Sequence, residues 1–321
     1  QLYGTQFKKV DNKSVLWQVD PAITDEERAK WDVPPLAESR RREATMNLDF
    51  FALYDQGSDA YEKAKWSDCA QHFVDAAGAA KQDRQACRAW VAAAGCAARD
   101  GDKAGVFYCL DQVATHGCRD VDRLATEPDF ATVRDDPHWK TVFEQAQARA
   151  VAARKGPLNA ELERLYKEDQ ADRAPDLGKV DWSVVGKRDE ERRKRVLEIV
   201  AQGGAKEAAD YVHAAMVLQH GQTPEDFDHA NQWCLKAIEL DPDYPGARWL
   251  AAAAKDRHLM NLGKPQLYGT QFKRDPKGGP WYLWQVDPSI TDEERAKWDV
   301  PPLARAKARV DALNGGTFQP H

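Results

Sequence analysis

With 321 residues, the chain is long enough for two ordinary domains or for one extended array of helical repeats. Hydrophobic residues make up 42% of the sequence and charged residues 31%, which is typical of a folded protein and excludes a disordered one. The net charge is −6, which argues against a nucleic-acid groove, and the apolar runs are far too short to span a membrane.

The strongest signal is a segment that occurs near both ends of the chain. Its matched blocks are residues 1–8 and 16–37 in the first copy, and residues 266–273 and 283–304 in the second. The copies differ within these blocks at one position, where Ser289 replaces Ala22. The connector between the blocks varies, as the loop of a hairpin-like excursion tolerates.

Each copy predicts an extended segment, a loop, a second extended segment and one or two helical turns. In the first module, residues 1–47, Thr24 and Glu27 predict a capping box that opens the short helix. Val33-Pro34-Pro35 predicts its end, because a residue before proline is pushed out of the α region. The second module, residues 266–314, repeats these signals. Such a module is too small to own a core, so we expect it to dock on a helical surface.

Tryptophans recur in both modules and in the regions between them. They could form a stacking platform for sugars or bases, but such residues more often staple helices or pin a tail. We therefore predict packing roles for Trp17, Trp31, Trp66, Trp90, Trp284 and Trp298.

Residues 48–151 predict paired helices. Their spacing of small and aromatic residues resembles the tetratricopeptide repeat, on the evidence of Gly57, Trp66, Cys69, Phe73 and Ala76. This resemblance implies helical hairpins that stack into an array and bind other proteins.

Cysteines are concentrated in the same predicted domain. Of the six in the chain, five lie there: Cys69, Cys87, Cys96, Cys109 and Cys118. No two cysteines have the CxxC spacing of a zinc site. Helix packing needs small buried residues, so we favour free buried thiols over disulfides.

Residues 152–160, which contain Lys155-Gly156-Pro157, predict a linker, and residues 161–265 predict a second helical unit. The run of alternating charge at residues 188–195 is typical of a solvated helix face. The chain is therefore predicted to be mainly α, with tetratricopeptide-like helical hairpins and two copies of a small extended-plus-short-helix tail module.

Residues 160–275 carry four short elements in order. They are Asp169-Gln170 with Arg173, then Gln219-His220, then Asp256-Arg257, then Gln266 to Gln271. This order resembles an uncharacterised bacterial domain family marked by DQxxR, QH, DR and QxYGTQ elements. The resemblance implies no activity, but it implies one polar cluster of Asp169, Arg173, His220, Asp256, Arg257, Gln266, Tyr268 and Gln271.

Such a cluster could perform acid–base chemistry. His220 would be the acid or base, Asp256 would orient it, and Arg173 or Arg257 would clamp an anion. Tyr268 completes this candidate catalytic set. The same side chains also satisfy the backbone of a docked tail, which is the commoner use. An enzyme of unknown class is therefore the alternative hypothesis, and no motif indicates a cofactor or a metal.

An interaction or self-assembly protein is the preferred hypothesis. The first module would dock, through Gln1, Tyr3, Gln6 and Trp17, in a groove equivalent to the one that holds the second module. If the groove belongs to a neighbouring copy, the product is a homo-oligomer or a head-to-tail filament. Docking on the chain's own tetratricopeptide-like region remains open. The missing initiator Met leads us to expect a processed or truncated start, with a lean towards an exported protein.

Overall fold

The computed structural model of the chain is mainly α-helical, which confirms the predicted fold class. It describes residues 1–10, 13–45, 48–119, 124–125, 127–152, 155–173, 180–274 and 278–315. The chain divides into two compact units, Gln1–Arg149 and Ala150–His321. Among the described residues, no helix has the length and apolar character needed to cross a bilayer.

The first unit begins with a β-hairpin and two short helices, followed by longer helices. Its elements are β1 (Phe7–Val10), β2 (Lys13–Leu16), α1 (Asp25–Ala29), α2 (Leu36–Thr45), α3 (Phe50–Glu62), α4 (Trp66–Ala79), α5 (Asp83–Asp100), α6 (Lys103–Thr115), a 3₁₀ turn (Pro128–Thr132) and α7 (Pro137–Ala152). Strands β1 and β2 pair antiparallel with Phe7 opposite Leu16, which confirms the predicted hairpin.

Helices α3 to α6 pack in sequence, each on the next. Gly57 allows α3 to approach α4 closely, because a Cβ atom there would lie 2.8 Å from the ring of Phe73. Ala76 and Cys69, which also lie on α4, are fully buried. Small residues at these positions therefore set the helix spacing, while the tetratricopeptide character of the array stays a prediction.

Four cysteines of the first unit form disulfides, so the prediction of free thiols is wrong for them. Cys69 pairs with Cys96, and Cys87 pairs with Cys118. Helix packing brings the Cα atoms within 5.8 Å and 5.5 Å, which is bonding range. Cys109 and Cys234 are free and buried, as predicted.

In its described residues, the second unit has five long helices and a terminal hairpin with two helices. Its elements are α8 (Ala160–Ala171), α9 (Trp182–Ala201), α10 (Ala208–Gln219), α11 (Pro224–Leu240), α12 (Ala247–Asn261), β3 (Phe272–Arg274), β4 (Trp281–Leu283), α13 (Asp292–Lys297) and α14 (Leu303–Gly315). Alanines and Cys234 dominate the core of α10 to α12, so these helices pack closely.

The predicted linker is partly anchored to the second unit. Lys155 N donates to Glu207 Oε2 at 3.1 Å, and Asn159 N donates to Asp210 Oδ1 at 2.8 Å. Residues 153–154 of that predicted segment lie outside the described residues. At least from Lys155 onward, the segment is held by the start of α10.

Both modules have the predicted order of elements, with one addition. Thr24 and Thr291 cap α1 and α13 by accepting hydrogen bonds from the backbone N–H of Glu27 and Glu294. The short helices end before the Pro-Pro pairs, as predicted, but a further helix follows each pair at once: α2 and α14. A proline pair also suits the entry of a helix, because proline is tolerated in its first turn.

The two disulfides should stabilise the first unit. They close chain segments with sequence separations of 27 and 31 residues, and loops of that size confer about 3 kcal/mol each. We expect reductant to lower the melting temperature of the wild-type chain, measured by calorimetry. A control with alanine at Cys69, Cys87, Cys96 and Cys118 should show no response to reductant. Identical wild-type melting with and without reductant contradicts the pairing.

Candidate docking site

The loop of the second module is organised around Gln266, which is fully buried. Its side-chain Nε2 donates to the carbonyl oxygens of Gln271 and Trp284, at 3.0 Å and 2.8 Å. Its Oε1 accepts from the backbone N–H of Gln271 at 2.8 Å. The Gln266 side chain therefore links both ends of the loop formed by residues 266–271 to the residue that follows β4.

Arg295 on α13 braces the same loop from the other side. It is nearly fully buried, and its Nε donates to the carbonyl of Tyr268 at 3.1 Å. Its Nη1 contacts Asp292, whose Oδ1 in turn accepts from the N–H of Leu303 at 2.8 Å. Gly269 has a φ of +82°, and a Cβ there would lie 3.2 Å from Leu303. The short helix thus packs on a loop that requires glycine.

The first module repeats this internal network. Gln1 Nε2 donates to the carbonyls of Gln6 and Trp17, and Gln1 Oε1 accepts from Gln6 N at 2.7 Å. Buried Arg28 donates to the carbonyl of Tyr3 at 2.6 Å. The equivalent of the contact between Asp292 and Leu303 is also present. Because the network recurs in both units, it is a property of the module's own sequence.

The second module docks on α12 through Asp256. This carboxylate is fully buried and accepts from the N–H groups of Leu267, Tyr268 and Thr270, at 2.7, 3.0 and 3.0 Å. It also accepts from the Thr270 hydroxyl at 2.8 Å. Burial raises the pKa of Asp256, and these hydrogen bonds oppose the rise by favouring the charged form.

Arg257 and Gln271 extend the contact beside Asp256. The Nε of Arg257 donates to the side-chain oxygen of Gln271 at 3.0 Å, and its Nη1 donates to the carbonyl of Gln219 at 2.5 Å. Gln271 Nε2 donates to the carbonyl of Ala253 at 3.3 Å. Gln271 of the module is thereby linked directly to the Ala253 carbonyl of α12 and, through Arg257, to the Gln219 carbonyl at the end of α10.

Trp298 supplies the apolar part of the docking contact. It packs against the buried core cluster of α10 to α12 and lies 5.7 Å from the ring of Tyr268. Burial raises the pKa of Tyr268 to about 12, which keeps its phenol neutral. The second module therefore combines hydrogen bonds to Asp256 with an aromatic anchor. We define the surface it covers, namely Ala253, Asp256, Arg257 and the adjoining core of α10 to α12, as the host groove.

The first module presents the same face without a host. Within the described residues, the N–H groups of Leu2, Tyr3 and Thr5 have no hydrogen-bond partner. Leu2 is 53% exposed and Trp31 is 62% exposed. Trp17 is 51% exposed, so the predicted packing role is wrong for it and for Trp31. The reason is that packing of these rings requires a partner surface that the first unit does not supply to them.

The two modules also differ at the tryptophan that directly follows the second strand of the hairpin. Trp284, the counterpart of Trp17, donates from its indole Nε1 to the carbonyl of Lys264 at 2.8 Å. Trp66 and Trp90 lie in the helical part of the first unit, where Trp90 is buried as predicted. The prediction for the tryptophans thus holds where a helix lies beside them.

His220 is held by Asp169, so the expectation that Asp256 orients it is wrong. The Nδ1 of His220 lies 2.9 Å from Asp169 Oδ2, and Asp169 is fully buried. Asp256 cannot take this role because its oxygens already accept from the second module. The eight residues expected in one cluster therefore form two groups, one around Asp169 and one around Asp256.

The group around Asp169 includes ion pairs from the charged run. Arg173 contacts Asp169 at 2.9 Å and Asp189 at 2.6 Å, and Arg192 contacts Asp172 and Asp189. Burial disfavours ionisation of Asp189, but hydrogen bonds from the two arginines outweigh it and hold its pKa below the usual value.

The prediction of a solvated face is therefore wrong for Asp189 and Arg192, which are both buried. A signal for this was present in the sequence. Positions 189 and 192 fall on the helical stripe defined by Val185, Val196 and Ile199. Sequence reasoning missed Thr270, which docks on Asp256, and Arg295, which braces the docked loop, although both lie in the duplicated blocks. The predicted packing role of Trp298 is confirmed.

Removing the charge of Asp256 should loosen the second module. In Asp256→Asn the amide nitrogen is a donor that faces other donors, so at least one buried N–H loses its acceptor. We expect a loss of about 2–4 kcal/mol in the free energy of unfolding, measured with urea. Amide exchange should also accelerate across residues 266–304. The control Glu239→Gln, at an exposed ion pair, should change stability by less than about 0.5 kcal/mol. Equal losses of stability in Asp256→Asn and Glu239→Gln would refute the assigned role of Asp256 in holding the second module.

No protein-family model matches the chain, and no curated protein or solved structure is significantly similar to it.

Proposed function

We propose that this chain is a protein–protein interaction and self-assembly protein, in which the first module docks in trans on a helical surface of a neighbouring molecule. One observation carries the proposal. The same module sequence is present in two surroundings, and among the residues that the structure describes only the second copy has a host for its docking face. A face that is known to fit a helical groove is thus presented to solvent by the first copy.

The open face offers directional contacts. Leu2 N, Tyr3 N and Thr5 N correspond to the three N–H groups that bind Asp256 in the second module. A partner carboxylate would give these N–H groups charge-assisted hydrogen bonds. Such bonds are stronger than neutral ones and define the orientation of the docked module.

The open face also offers an apolar anchor. Trp31 is 62% exposed, whereas its counterpart Trp298 packs on a helical core. Burying an aromatic side chain of this size contributes on the order of 2 kcal/mol. Buried aromatic residues surrounded by hydrogen bonds are the usual hot spots of protein interfaces.

The first module is preorganised for binding. Its Gln1 and Arg28 networks have the same partners as those of Gln266 and Arg295 in the docked copy. Docking therefore requires little additional ordering of the loop, which reduces the entropic cost of association. The helical hairpins α3 to α6 would carry this module, and the two disulfides favour an oxidising compartment for the assembly.

The alternative, an enzyme based on His220, Asp256, Arg257 and Tyr268, is the weaker proposal. Asp256 and Arg257 are engaged with the backbone and side chains of the second module. His220 belongs to the separate group around Asp169. Three of these four residues thus have structural contacts that account for them without a substrate.

Self-association through the first module is directly measurable. We expect sedimentation velocity of the full chain to show association that grows with concentration towards the millimolar range. In Gln6→Ala/Trp31→Ala this association should weaken at least tenfold, because both substitutions remove docking-face side chains. Trp182→Ala is the matched control, since Trp182 is exposed to a similar degree outside both modules. Association of the double variant equal to that of wild type would refute the proposal.

A further inference from the structure

The two modules present the same residues to a host. The residues of the second module that contact the host groove are Leu267, Tyr268, Thr270, Gln271 and Trp298. At the corresponding positions the first module has Leu2, Tyr3, Thr5, Gln6 and Trp31. Since the docking residues are identical, the host groove offers each module the same contacts.

We propose that the first module of one molecule binds the host groove of a second copy of this chain, in exchange for that copy's own second module. This inference rests on the proposed function and names its partner. The two modules are then competing ligands for one site, and the second module is the intramolecular competitor that limits assembly.

The geometry makes the competition exclusive. The two oxygens of Asp256 together accept hydrogen bonds from three N–H groups and one hydroxyl of the second module. A carboxylate offers about four lone-pair sites, so no acceptor capacity remains for another module. The side chain of Arg257 is likewise directed at Gln271. The groove can therefore hold one module at a time.

The short connection between α12 and the second module favours that module over the first in the host groove. Residues 262–265 join the end of α12 to Gln266, so the second module is confined beside its host. A short linker gives an effective concentration on the order of millimolar. With equal contacts, the tethered module prevails at micromolar protein concentration, and exchange becomes appreciable only as concentration rises or the second module is weakened. The same balance between a tethered element and its copy from another molecule governs domain swapping.

The test uses full chains whose modules are weakened selectively. An open-groove chain carries Gln271→Ala and Trp298→Ala to release its second module, and Gln6→Ala and Trp31→Ala to disable its first. Wild type supplies an intact first module and a closed groove. A third chain, with Gln6→Ala and Trp31→Ala only, is the matched control. Each pair is mixed at tens of micromolar and examined by sedimentation velocity with one partner fluorescently labelled.

We expect a heterodimer of the open-groove chain with wild type, and binding at least tenfold weaker with the control chain. Wild type and the control chain have the same second module, so a difference between the two mixtures reports the wild-type first module in the open groove. Equal binding of wild type and control, or no binding of either, overturns the inference. If wild type nevertheless self-associates in a way that depends on Trp31, the proposed function stands, and the first module docks on a surface other than the host groove.

A second open-groove chain guards against misfolding of the first. It carries Thr270→Val in place of Trp298→Ala, which removes the hydroxyl donor to Asp256 but preserves the aromatic anchor. Helix content of both open-groove chains should match that of the control chain, whereas release of the second module should lower their melting temperature. Where the first is unfolded, the second decides by the same criteria: binding to wild type supports the exchange, and its absence overturns it.

Discussion

The buried carboxylate of Asp256 is the constraint on which the second module depends. A charge without solvent must be compensated, and here three backbone N–H groups and the Thr270 hydroxyl provide the compensation. The same contact satisfies backbone donors in a loop that has no secondary structure of its own. The helix and the loop therefore stabilise each other. The loop has no core of its own, and without the loop the helix would bury an uncompensated charge.

Two levels of organisation are separable because the module occurs twice. The glutamine and arginine networks form in both copies, with Gln1 and Arg28 repeating the contacts of Gln266 and Arg295. These contacts are local, so the same sequence reproduces them in different units. The contact with a host is not local, and in the part of the chain that the structure describes only the second copy has it. The two modules therefore have chemically equal faces that differ in their surroundings.

Several charged residues of the second unit are buried and pair with one another. Asp189 and Arg192 lie on the buried stripe of α9, where Arg173 and Asp172 complete their pairing. Buried ion pairs of this kind orient helices, although their net contribution to stability is small once desolvation is counted. His220 contacts Asp169 at the edge of this network, which explains its position without a catalytic role.

The sequence by itself determined the mainly helical class, the module duplication, the hairpins and the capped short helices, because these follow from local propensity, proline stereochemistry and exact repetition. Only the tertiary structure decided which cysteines pair, that Asp256 rather than His220 faces the second module, and that Trp31 is exposed while Trp298 is packed. Trp31 and Trp298 show the reason. Their flanking sequences are identical, so no local signal separates them, and burial depends on whether a helical surface lies within reach.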